Sequence, residues 1–291
     1  MTAAGTLPET IAGAEVITQA VTALFVPGDR PERFQKAAAA DADVVIIDLE
    51  DAVAPSEKSL ALASTVDALV RGGIRALVRV NAADSASHET EVKSLLAITE
   101  LKHHGLLGLM VPKAEQAGPL TALREALPEN LALVPLVESA RGLVQAQVLA
   151  SVPGVTRLAF GAVDFALDLN ADSDDRFLDA ARSQLVLASR AAGIAAPLDS
   201  PCIEIRDVDR VASSARLAKK FGFGGKLCIH PAQVAIVNAE FLPSDSDIEW
   251  ARTVIGAEGG AAQVDGRMID RPVTERAKRI LHQARKGSSN G

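Results

Sequence analysis

Charged and polar side chains recur at the ends of short apolar runs along this 291-residue chain: Asp29 and Arg30, Glu50 and Asp51, Arg79 and Asn81, Lys113, Glu138, Asp164, Asp199 and His230. The chemistry open to them follows from residue type. Glu138 and Asp164 close consecutive runs, so on neighbouring strands their carboxylates converge on one ion. Hard oxygen donors without Cys or His nearby favour Mg2+, which keeps positions for water and substrate oxygens; the competing reading is a structural ion pair. Arg79, beside Glu50 and Asp51, has a planar fork that clamps a carboxylate through two donors or stabilises enolate charge, unless it only neutralises the acids. Arg30, Arg33 and Lys36 form a cationic group suited to phosphate, and a solvated helix start explains them equally well. Lys113 at a strand end could form a Schiff base, but acids at the same rim would keep its ammonium charged. His230, ahead of Pro231, reads as a satisfied rim histidine rather than a ligand or base.

Positioning such a set requires strands that end together. The apolar runs cover residues 22–28 (TALFVPG), 43–51, 76–81, 108–115, 132–139, 157–164, 195–201 and 225–231. Runs such as "DVVIID" lack polar alternation and so suit strands covered on both faces. Ala- and Leu-rich helical stretches separate them, which predicts parallel strands with crossover helices. Eight such units predict a (β/α)8 barrel over residues 21–256, with a doubly wound open sheet as the alternative. On a barrel the listed side chains share the carboxyl-terminal rim, where catalysis sits.

Residues 1–20 read as a flexible N-terminal segment. Residues 257–291 read as a C-terminal extension, a lid or inter-subunit tail. There "EGGAAQVDGRMID" forms a flexible connection and a basic amphipathic helix runs from Pro272 to about Lys286. Val273, Ala277, Ile280 and Leu281 share its apolar face, and the closing "GSSNG" is expected to be disordered.

Composition excludes several functions. A net charge of -7, 3% aromatic residues and no basic stripe argue against nucleic-acid binding. The first 20 residues carry Glu9 and Glu15, no Lys or Arg and no long apolar run, unlike a signal peptide or membrane anchor. Cys202 and Cys228 are too few for a disulfide framework and not spaced for zinc, so they read as buried thiols in a reducing cytoplasm.

Taken together, "LFVPGDRPERFQKAAAADADVVIIDLEDAV", "VRVN", "VPKAE", "PLVESARGL", "FGAVDFALDL", "CIHPAQV" and "GRMID" resemble the citrate lyase beta subunit-like family, which includes malyl-CoA and citramalyl-CoA lyases. The resemblance spans about residues 23–281 and implies a Mg2+-dependent (β/α)8 barrel, a homotrimer or hexamer. It implies a carbon–carbon lyase that acts on a 3-hydroxyacyl-CoA and yields acetyl-CoA or a related thioester plus a small 2-keto acid, or runs the reverse condensation. It assigns Glu138 and Asp164 to the metal, Arg79 to catalysis and the loop around Arg30, Arg33 and Lys36 to CoA. Glu50 and Asp51 would then line the site and orient Arg79, with Asp48 structural. Asp270, in "GRMID", matches an aspartate that serves relatives as the acid or base at the thioester methyl group of an adjacent subunit's site. Capping the helix that begins near Pro272 is the alternative role for Asp270. Val21 and Thr22 stand where the family often has Arg-Ser. A citryl-thioester lyase subunit fed by an acyl-carrier protein shares all these parts; a Lys113 Schiff-base aldolase and a catalytically silent scaffold are the remaining readings.

Overall fold

Each apolar run forms one strand: β1 (Thr22–Pro27), β2 (Val44–Asp48), β3 (Ala76–Arg79), β4 (Leu106–Val111), β5 (Ala132–Val137), β6 (Arg157–Phe160), β7 (Ala195–Asp199) and β8 (Gly225–Cys228). In the computed structural model, which describes residues 12–71, 73–171, 175–256, 263–264, 267–268 and 270–289, these strands close in chain order into one parallel barrel. The seam is the β1–β8 pair, in register at Thr22↔Lys226, Ala23↔Leu227 and Leu24↔Cys228. The helices are α1 (Gly13–Gln19), α2 (Phe34–Ala38), α3 (Lys58–Val70), α4 (His88–Ala97), α5 (Ala117–Ala126), α6 (Ala140–Val144), α7 (Ala146–Ala150), α8 (Ala162–Asp168), α9 (Asp175–Ala192), α10 (Val208–Phe221), α11 (Pro231–Phe241), α12 (Asp245–Gly256) and α13 (Arg271–Ser289). The fold is the expected (β/α)8 barrel.

Strand periodicity fills its interior. Val44 and Ile46 on β2, with Ala132, Val134 and Leu136 on β5, join one buried cluster with Leu77, Met110, Leu198 and Leu227. Residues two apart share a face, so the intervening Val45 and Ile47, also buried, turn towards the helix layer. Each such side chain contributes about 1.5–3 kcal/mol over leaving it exposed.

Residues 13–19 lie in the stretch read as flexible, yet they form α1 and bury Ile17 in the same cluster. The buried Arg157 guanidinium on β6 donates to the carbonyls of Ile17 (2.9 Å) and Ala20 (2.7 Å) at the end of α1, and to Ala196 O (2.5 Å). A Cβ on Gly13 would stand 2.1 Å from Leu107 O, so only glycine allows this close backbone approach. The Val21–Thr22 edge is held by Asp43, whose Oδ2 accepts from both backbone N–H groups at 2.9 Å.

The chain divides into two compact units, Met1–Val237 and Asn238–Gly291, whereas the sequence reading placed the boundary after residue 256. In the second unit Ser244 caps α12, its Oγ accepting from Asp247 N at 3.1 Å. Ala251 and Val254 of α12 are buried with Ala277 and Ile280 of α13, flanked by Val273 and Leu281. The apolar face of α13 is thus covered by a helix of its own chain. Gln263–Val264 and Arg267–Met268 pair as two short antiparallel strands within the segment read as a connection. Helix α13 continues to Ser289, into the stretch expected to be disordered.

Candidate active site

The rim is organised around Asp48. This buried last residue of β2 pairs in register with Arg79 on β3. Its carboxylate accepts from Arg79 Nε at 2.7 Å and Nη2 at 2.6 Å, and turns back to accept from Glu50 N (2.9 Å) and Ala52 N (3.2 Å). Arg79 Nη1 lies 3.1 Å from Glu50 Oε2 and 3.5 Å from Asp51 Oδ2, and the guanidinium stacks over Phe25, 4.9 Å from the ring centroid. The Nε–Nη2 edge of Arg79 is occupied by Asp48, and Nη1 lies against Glu50 and Asp51. Asp48, more than Glu50 or Asp51, fixes its orientation. Burial alone would lower the guanidinium's pKa, but Asp48, Glu50 and Asp51 outweigh it and hold the charge in place.

Glu138, just beyond β5, is buried, and its two oxygens differ. Oε1 accepts from Lys113 N at 2.7 Å, whereas Oε2 has no hydrogen-bond partner. Lys113 reaches that donor position through a left-handed backbone (φ 49°), uncommon for a residue with a side chain. Its Nζ donates to Glu50 Oε1 at 3.1 Å. Burial lowers the ammonium's pKa, but Glu50, Asp51 and Glu138 raise it by more. That charged state disfavours Schiff-base chemistry.

Asp164 is not the last residue of β6 as the spacing suggested: the strand ends at Phe160, and Asp164 lies in the first turn of α8. It lines the same cleft of about 530 Å3 as Glu138, with Lys113, Glu115, Ser139 and Asp168. Burial raises the pKa of both acids. Glu138 goes to about 8, with the Glu50 charge as second cause, and Asp164 moves up with Asp51 as its second. Among the described residues no three His, Cys, Asp or Glu side chains gather as a metal cluster. Two acidic groups and one unpartnered buried oxygen fit a cation that takes oxygen ligands and completes its shell with water or substrate.

Other expected site residues lie elsewhere. Arg30 and Arg33 are exposed with carboxylates 3.8 Å and 4.0 Å away on Asp29 and Glu32, Lys36 is exposed on α2, and none of the three lines the cleft. Asp270 is exposed at the start of α13, where Oδ1 accepts from Val273 N at 3.2 Å, a helix cap. His230 Nδ1 accepts from Ala232 N at 3.1 Å, the local role read for it.

Two supporting residues, Lys58 and Glu91, had escaped the sequence reading. Lys58 on α3 donates to the carbonyls of Leu49 (2.7 Å) and Glu50 (2.6 Å), clamping the acidic turn from below. Asn81 donates to Leu49 O at 2.7 Å and is gripped by the buried Glu91, which accepts from its amide nitrogen at 2.5 Å and its backbone N–H at 2.8 Å. An acid four residues from Leu95, on the apolar face of α4, was the available signal.

A closed parallel barrel whose acidic rim surrounds one anchored arginine defines a (β/α)8 enzyme with its site at the carboxyl end of the strands. The chain belongs to the HpcH/HpaI aldolase/citrate lyase family, whose model matches residues 21–231, and this membership makes it a carbon–carbon lyase by class. It is 37% identical to a citrate lyase subunit beta-like protein of Mycobacterium tuberculosis, over 91% of this chain and 96% of that protein. It is 32% identical to a (3S)-malyl-CoA thioesterase of Cereibacter sphaeroides, over 90% and 93%. The structure resembles that of CitE from Mycobacterium tuberculosis in complex with magnesium, acetoacetate and coenzyme A (TM-score 0.80, 35% identity, 91% and 98% of the two chains).

Proposed function

We propose that the chain is a Mg2+-dependent lyase that cleaves a 3-hydroxyacyl-CoA of the malyl-CoA or citramalyl-CoA type to acetyl-CoA or a related thioester and a 2-keto acid, or condenses them. The observation that carries this reading is the buried, unpartnered Oε2 of Glu138, in one cleft with Asp164 and within the electrostatic reach of Arg79. Glu138 and Asp164 would hold Mg2+, which when bound supplies Lewis-acid stabilisation of substrate oxygens. In the cleaving direction the hydroxyl gives up its proton to water in the cleft and the bond between the carbinol carbon and the thioester's α-carbon breaks. The bonding pair enters the thioester as an enolate. Arg79 Nη1 stabilises the enolate oxygen, while Asp48 and Glu50 keep the guanidinium from turning. Asp270, supplied by a neighbouring copy in a trimer or hexamer, protonates the methyl carbon. Arg30, Arg33 and Lys36 meet the CoA phosphates.

Purified protein with Mg2+ is to be offered malyl-CoA, citramalyl-CoA, citryl-CoA and 3-hydroxy-3-methylglutaryl-CoA, with acetyl-CoA, 2-keto acid and free CoA measured separately. Equal yields of acetyl-CoA and keto acid from one of them support the reading. Free CoA beside intact hydroxy acid would instead mark thioester hydrolysis, the activity in the name of the Cereibacter relative. No turnover of any, with a citryl carrier-protein thioester cleaved, would move the chain to a carrier-dependent complex.

A further inference from the structure

The Glu138 carboxylate is held on one side by the Lys113 N–H. On the other side lies Gly161, the residue between β6 and α8. A Cβ built there would stand 2.7 Å from Glu138 Cβ and 2.7 Å from Oε2, the unpartnered oxygen. Gly161 has φ −103° and ψ 77°, outside the left-handed region, so glycine is not needed there for its backbone freedom. What it provides is room. Both contacts are too short to survive, and only one involves the mobile end of a side chain. The other is to a Cβ fixed by its backbone next to β5, so a carboxylate rotation alone cannot relieve the overlap. The two segments are also tied directly, Gly161 N donating to Val137 O at 2.9 Å.

We propose that Gly161 is a positioning residue for the acidic pair: its missing side chain leaves the space in which Glu138 Oε2 faces the cleft, at the same turn that starts the helix carrying Asp164. Any larger residue at 161 moves Glu138 and Asp164 relative to each other. The inference rests on the assignment of Glu138 to the metal for its consequence, but not for its steric basis, and the two are separable.

The test combines Mg2+ titration, without substrate, with metal-free thermal melts of wild type, Gly161→Ala, Glu138→Gly and the double variant Glu138→Gly/Gly161→Ala. Gly161→Ala should raise the Mg2+ Kd at least tenfold and lower the metal-free Tm. In the Glu138→Gly background the same alanine should cost little Tm, because both colliding atoms are gone. If Gly161→Ala is not recovered folded, the double variant should be; failure of the double variant to fold overturns the proposal. A folded Gly161→Ala protein with wild-type Mg2+ affinity overturns it as well. If Glu138→Gly itself binds Mg2+ like wild type, the metal assignment falls, while the coupled melts still decide whether Gly161 and Glu138 are in steric contact.

Discussion

At the scale of the residue, the site is a set of carboxylates kept close by a few cations. Arg79 is the central one, and its planar shape matters as much as its charge: Nε and Nη2 are committed to Asp48, and Nη1 lies 3.1 Å from Glu50 Oε2. Lysine has no such fork, so Arg79→Lys should lower kcat by about 10²-fold or more, a loss far larger than its effect on stability. A loss of only a few fold would reduce Arg79 to a counterion. Glu138 yields a pH prediction. Its carboxyl is raised in the fold from the ordinary 4.5 to about 8, chiefly by burial and then by Glu50. In metal-free protein its protonated form therefore adds stability that is complete below about pH 4.5 and is lost as pH rises through about 8. Mg2+ must displace that proton, so its Kd should fall about tenfold per pH unit from pH 6 to 8 and then level off. Titration calorimetry showing a flat Kd across that range would contradict the assignment.

At the scale of the element, the strands were legible and the turns between them were not. Parallel strands buried on both faces leave an unbroken record such as "VVIID", and seven of the eight predicted runs contain their strands, the exception being β4, which begins at Leu106, two residues ahead of its run. Asp164 was misplaced because "LAFGAVDFAL" stays apolar while the backbone passes from strand to helix, and Gly161 at the helix start gives no side-chain cap to mark the change. Helix α1 was missed for a related reason: Ala12 precedes it without a capping side chain, and what anchors it is Arg157, distant in sequence. The central role of Asp48 was equally hidden, because spacing cannot tell which of three acids accepts both Nε and Nη2 of Arg79. Arg157→Met keeps much of the bulk but removes the donors to the carbonyls of Ile17, Ala20 and Ala196. It should lower Tm by several degrees and speed hydrogen exchange most in residues 16–20. Unchanged exchange there would mean that packing of Ile17 alone holds α1.

At the scale of the whole molecule, the second unit carries Asp270, and here sequence and structure give different kinds of information. The sequence motif suggests a proton donor, while the structure supplies a helix cap that asparagine would serve nearly as well. Capping alone therefore predicts that Asp270→Asn keeps its rate. Donation from a neighbouring copy predicts that it loses most of it, and that dissociating and reassembling it with an inactive Glu138→Gln protein restores part of the activity. Mixed oligomers without recovery would confine the acid to its own subunit. The central claim remains that Glu138 and Asp164 together hold a divalent ion. Its most direct test is anomalous diffraction from crystals soaked in Mn2+ as a stand-in for Mg2+. The account predicts one strong peak within about 2.0–2.3 Å of Glu138 Oε2 and of an Asp164 oxygen, completed by water or substrate. A peak bound by neither, or no peak at saturating Mn2+ in active crystals, would contradict it.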